Sequence, residues 1–181
     1  MREVDGGRGP GSALASWIFF VGCVVGVAGC ASNSEAGHAA RASLPRPALE
    51  DLIPDIRLAR LGARERLGDP GCQAVLTDFK AVTGQQLDEV LRTTGRTAQE
   101  QLDHLVLQSG LGRPLCNRGV SVAFTQIDSP IVSICLRPFT LLPPAKREAV
   151  LIHEMLHSLG LGENPPESVA ITARVLARCE H

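Results

Sequence analysis

Residues 149–163 read Ala-Val-Leu-Ile-His-Glu-Met-Leu-His-Ser-Leu-Gly-Leu-Gly-Glu. The stretch predicts a helix that starts at Pro143-Pro144, where a first turn tolerates proline, and runs through Leu159. Gly160 suits the left-handed conformation that ends a helix, and Leu161 is then expected to pack back on Leu156 or Met155. Residues four apart on a helix face the same way, one turn up. His153 and His157 therefore project together.

Upstream of this helix the texture is β-rich. Residues 120–127 (VSVAFTQI) and 131–136 (IVSICL) read as two strands joined by a turn at Asp128-Ser129-Pro130, an expected hairpin. The N-terminal half reads as helical. Residues 55–67 carry a helical apolar pattern closed by Gly68-Asp69-Pro70-Gly71. Residues 72–82 place Val75, Leu76, Phe79 and Val82 on one face of an expected helix. Residues 85–91 suggest another short helix. Thr97-Ala98-Gln99-Glu100 fits a capping box opening a segment through Leu107, whose last residues suit helix or strand equally. A final helix is expected over 168–178. The composite is an α+β domain over residues 48–181, with a helical first half, a small sheet, a central helix and a C-terminal helix.

His153-Glu154-Met155-Leu156-His157 is an H-E-x-x-H sequence. Two imidazoles one helical turn apart can reach one tetrahedral Zn²⁺ at about 2.0–2.1 Å. Glu154 projects beside them, placed to take a proton from water activated by the metal. With 5 His and 11 Glu among 181 residues, chance supplies about 0.01 such patterns per chain of this length.

In this context the motif resembles that of the zincin metallopeptidases. The continuation through Gly160 to Glu163 resembles the extended metzincin pattern H-E-x-x-H-x-x-G-x-x-H/D. The resemblance covers about 25 residues, from the helix through Glu163. It implies a zinc peptidase with His153, His157 and Glu163 as ligands and Glu154 as general base. Glu163 stands where metzincins carry His or Asp, and a carboxylate is an acceptable zinc ligand. The family's Met-turn is missing, because the only methionines are Met1 and Met155.

Other third ligands are conceivable. Glu167 lies in Asn164-Pro165-Pro166-Glu167, which reads as an N-cap and its capping-box partner. Glu180 and His181 follow the last helix. Cys135 as a thiolate ligand would resemble peptide deformylase, against its spacing and compartment. His104 stands isolated and reads as an ordinary surface or packing histidine. Arg137 is a guess at an oxyanion donor, and residues 131–136 are the expected edge for an added substrate strand.

The first 47 residues read as export machinery. Residues 13–29 form the one long apolar run, preceded by Arg2 and Arg8. It ends in Val27-Ala28-Gly29-Cys30, which resembles the bacterial lipobox. That resemblance implies a signal peptide over 1–29, a lipid on Cys30 and an envelope location, with Ala31 compatible with passage to the outer membrane. Residues 30–47 are small, polar and Pro-bearing, a flexible tether in which His38 reads as inert. Beyond Cys23 and Cys30, four cysteines remain: Cys72, Cys116, Cys135 and Cys179. An even number in an exported domain reads as two disulfides. The favoured pairing is Cys72–Cys116 with Cys135–Cys179.

Composition narrows the function. Eighteen basic and 19 acidic residues leave a net charge of -1, which argues against a nucleic-acid partner held by phosphate neutralisation. The 44% hydrophobic content excludes wholesale disorder. At 3% aromatic with no Tyr, the core must be aliphatic and no tyrosine can take part in chemistry. The leading expectation is a monomeric zinc peptidase acting on a peptide or protein. The alternative is a surface lipoprotein that binds metal or a partner without turnover.

Overall fold

A computed structural model of the chain describes residues 47–180. The signal run, the tether with His38, the lipobox Cys30 and the terminal His181 lie outside the described residues. In chain order the elements are α1 (Leu49–Leu52), α2 (Pro54–Arg66), α3 (Pro70–Gln73), α4 (Val75–Asp78), α5 (Leu87–Thr94), α6 (Ala98–Asp103) and β1 (Val106–Ser109). They continue with α7 (Pro114–Asn117), β2 (Ala123–Thr125), β3 (Ile131–Ile134), α8 (Leu136–Thr140), α9 (Pro144–Ser158) and α10 (Ser168–Cys179). The fold is α+β: a mostly helical domain with a three-stranded sheet of order β1-β3-β2, on which α1 packs at β1 and α9 at β2.

The central helix, α9, opens with Pro144 in its first turn, as expected. α2, α10 and β2 pack on different sides of it. A helix covered on several sides is apolar around most of its girth. Accordingly Leu151, Ile152, Met155 and Leu156 are all buried, each contributing about 1.5–3 kcal/mol through removal from water. α2 meets α9 through the narrow stripe Ile56, Ala59 and Ala63. An ion pair of 2.7 Å from Arg147 to Asp55 ties the same two helices. The expected capping box is present at α6: Thr97 Oγ1 accepts from the Glu100 amide at 3.2 Å, and the Thr97 amide donates to Glu100 Oε2 at 2.8 Å.

Two expectations are corrected in the first half and the sheet, and one left open between helix and strand is decided. Residues 72–82 do not form one helix. The chain leaves α4 at Phe79, turns back with the Ala81 amide on the Gln85 carbonyl, and pairs Lys80 with Gln86. Val82, assigned to a buried helical face, is 62% exposed. The segment after α6 resolves as a strand: β1 starts at Val106 and pairs with β3 in parallel. With β2 antiparallel on its other side, β3 is the central strand. Residues 131–136 therefore have no free edge for a substrate, and the open edge toward α9 belongs to β2.

The disulfides are Cys72–Cys179 and Cys116–Cys135, not the pairing favoured from sequence. Topology explains the difference. α3 packs against the end of α10, which brings Cys72 to Cys179. The parallel β1–β3 pair ends with the Gly110 amide donating to the Ile134 carbonyl at 2.8 Å. α7 follows that point and delivers Cys116 beside Cys135. A Cβ at Gly110 would collide with Cys116 Sγ, so the bare glycine backbone makes room for this bridge.

Candidate metal centre

α9 ends in a Schellman motif. The Leu161 amide donates to the Leu156 carbonyl at 3.1 Å, and the Gly160 amide to the His157 carbonyl at 3.0 Å. Gly160 has a φ of 95°, a conformation glycine adopts without steric cost. Leu156 and Leu161 are buried in the same core cluster. The turn is braced from outside, since Ala81 bridges Leu161 and the Val82 amide donates to the Gly160 carbonyl at 2.8 Å. The segment that sequence patterning assigned to a helix thus supports the loop that returns Glu163.

His153, His157 and Glu163 meet at one point. The two Nε2 atoms are 2.9 Å apart, and Glu163 Oε1 lies 3.3 Å from His157 Nε2 and 3.6 Å from His153 Nε2. Tetrahedral zinc with ligands at about 2.0–2.1 Å requires donor atoms about 3.3–3.4 Å apart, and the three separations bracket that value. The remaining ring nitrogens are held from behind. His157 Nδ1 lies 2.7 Å from the Leu161 carbonyl. A carbonyl only accepts, so this nitrogen carries the proton and Nε2 offers its lone pair to the centre. His153 Nδ1 lies 2.9 Å from Thr172 Oγ1 on α10. Burial, reinforced by the adjacent His157, lowers the pKa of His153 to about 4, with Glu163 opposing the shift. The imidazole is thus neutral at pH 7, as a metal ligand must be. Two imidazoles, one carboxylate and supporting hydrogen bonds make a donor set that fits zinc.

Glu154 is 5% exposed. Its Oε2 and the nearby Thr125 Oγ1 are both buried and complete no hydrogen bond among the described residues. Burial pushes the Glu154 carboxyl up to about 7; the Thr125 hydroxyl opposes this and the charge of Glu163 adds to it. Such a group exchanges a proton near neutrality. A cleft of about 770 Å³ runs over this point between β2 and the Glu163 loop, bordered by Phe124, Ile127, Glu154 and His157.

The other candidates stand apart. Glu167 is exposed at the N-cap of α10 and Glu180 is exposed at its far end. Asn164 is not an N-cap, because α10 starts after Glu167. His104 is exposed at the end of α6, and Arg137 is exposed on α8, bordering no cavity that Glu154 lines. Cys135 is oxidised with Cys116. Thr125, Thr172 and the brace at Ala81-Val82 carry no sequence signal, because each acts through a contact distant along the chain. The chain matches no protein-family model, no curated protein and no solved structure.

Proposed function

We propose that the protein is a zinc-dependent peptidase with His153, His157 and Glu163 as ligands and Glu154 as general base. One observation carries the reading: three donor atoms converge at separations of 2.9, 3.3 and 3.6 Å beside a buried carboxylate oxygen that has no partner among the described residues. Zinc held there would polarise a scissile carbonyl and ease proton loss from water. Glu154 accepts the proton of the attacking water and then returns it to the leaving amine. The open edge of β2 receives an extended peptide as an added strand, and the apolar rim at Leu115, Val120 and Ile127 covers its side chains. The alternative, metal binding without turnover, gives no use to a buried carboxyl beside the ligands whose Oε2 has no partner among the described residues, an arrangement costly to retain. Hydrolysis of a mixed protein substrate is expected, to be abolished by a chelator and restored by added zinc. Undiminished hydrolysis in chelator contradicts the reading.

The same proposal places the domain outside the cytoplasm, anchored through a lipid on Cys30 behind a signal peptide over 1–29 and a tether over 30–47. Two disulfides in the domain agree with an oxidising compartment. Cys30→Ser is expected to move the protein from the detergent phase to the aqueous phase on partitioning. Aqueous partitioning of the wild type rules out acylation.

A further inference from the structure

We propose that a second cavity beside the catalytic point receives a substrate group ending in a carboxylate, and that Lys146 selects it. This rests on the peptidase reading and names its substrate class. The cavity, about 330 Å³, opens against His153 and Glu154 and lies between the lead-in to β2, α9 and α10. Val122, Leu142, Val150 and Leu176 give it apolar walls, and Lys146 is the one lysine or arginine among its described lining residues.

Lys146, Val150 and Glu154 recur every four residues and so share one face of α9. Eight residues of helix separate the Lys146 and Glu154 backbones by about 12 Å. A glutamate-length side chain extending from the reacting bond spans part of that distance, and the flexible lysine stem reaches back over the rest. Lys146 is exposed and makes no ion pair among the described residues, whereas its neighbour Arg147 is committed to Asp55. It sits in the first turn of α9, where the positive end of the helix adds to its charge. A slot with aliphatic walls, the hydroxyls of Ser121, Ser168 and Thr172 and one exposed, uncommitted lysine in its lining is complementary to a methylene stem bearing a carboxylate. An acidic side chain and the carboxylate at a peptide's C-terminus both present that group.

The test uses the zinc-loaded, full-length Glu154→Gln protein, in which turnover is slowed enough to read binding, with and without Lys146→Glu. The probes are blocked pentapeptides, acetyl-Ala-Ala-Xaa-Ala-Ala-amide with Xaa as Glu, Gln or Lys, and the Gln peptide with a free C-terminal carboxylate. Affinities are read by calorimetry. The Glu peptide or the free-carboxylate peptide is expected to bind about 10- to 100-fold more tightly than the blocked Gln peptide, and which of them does so identifies the source. Lys146→Glu is expected to abolish that preference and to favour the Lys peptide. Equal affinities, or no binding of any of the four, overturn the proposal. Wild-type hydrolysis separates the two readings. Cleavage of all four peptides at equal rates sinks the carboxylate slot alone. Selective binding without cleavage of any peptide sinks the peptidase reading alone.

Discussion

Glu154→Gln is expected to lower peptide hydrolysis by about 10²–10⁴-fold, the usual cost of losing a positioned general base, while zinc content stays that of the wild type. Gln keeps the size of the side chain and removes its basicity. Glu154 is not among the three converging donors, so the ligand set is untouched. The core is also spared, because a neutral amide is easier to bury than a carboxylate held near neutrality by burial. Metal analysis and single-turnover assays on the same preparation check both halves. Loss of zinc in this variant, or full activity, contradicts the assignment of Glu154.

Removing Cys72–Cys179 with a double Ala substitution is expected to destabilise the domain by about 4–5 kcal/mol, against about 3 kcal/mol for Cys116–Cys135. The first bridge joins residues 107 apart and the second residues 19 apart. The longer loop removes more conformational freedom from the unfolded chain. The first bridge also holds the end of α10, the helix that supplies Thr172 to His153. Bidentate contacts of 2.8 Å from Arg178 to Asp78 secure the same end. Denaturant melts of the two double variants give the comparison. A larger loss for Cys116–Cys135, or peptide mapping that joins Cys72 to Cys116, refutes the pairing.

The parts of this molecule that sequence made legible are those governed by neighbours in the chain. α9 shows in its proline start and its helical spacing, its end in the glycine at 160, and the place of Glu163 in the resemblance to the extended motif. The Thr97–Glu100 cap is likewise a three-residue affair. What was not legible depends on partners far along the chain. Val75, Leu76, Phe79 and Val82 mimic a helical face, but residues 79–86 are recruited to brace Leu161 instead. β1 is only four residues long and owes its strand state to β3, which lies 25 residues downstream in register. Once β1 joins the sheet, β3 becomes central and the open edge moves to β2. Cysteine pairing depends on the same packing, so counting could establish two bridges but not which. The hydroxyls of Thr125 and Thr172 are ordinary residues until the fold brings them to Glu154 and His153.

Zinc content is the most direct test of the central claim that His153, His157 and Glu163 form a metal centre. The purified protein is expected to hold about one zinc per chain after dialysis, as a three-ligand site with one open position does. His153→Ala and His157→Ala are each expected to empty it, and Glu163→Ala to weaken it, with circular dichroism showing that the helices persist. Stoichiometric zinc in the His153→Ala/His157→Ala double variant, or a wild-type protein that binds none, would contradict the account.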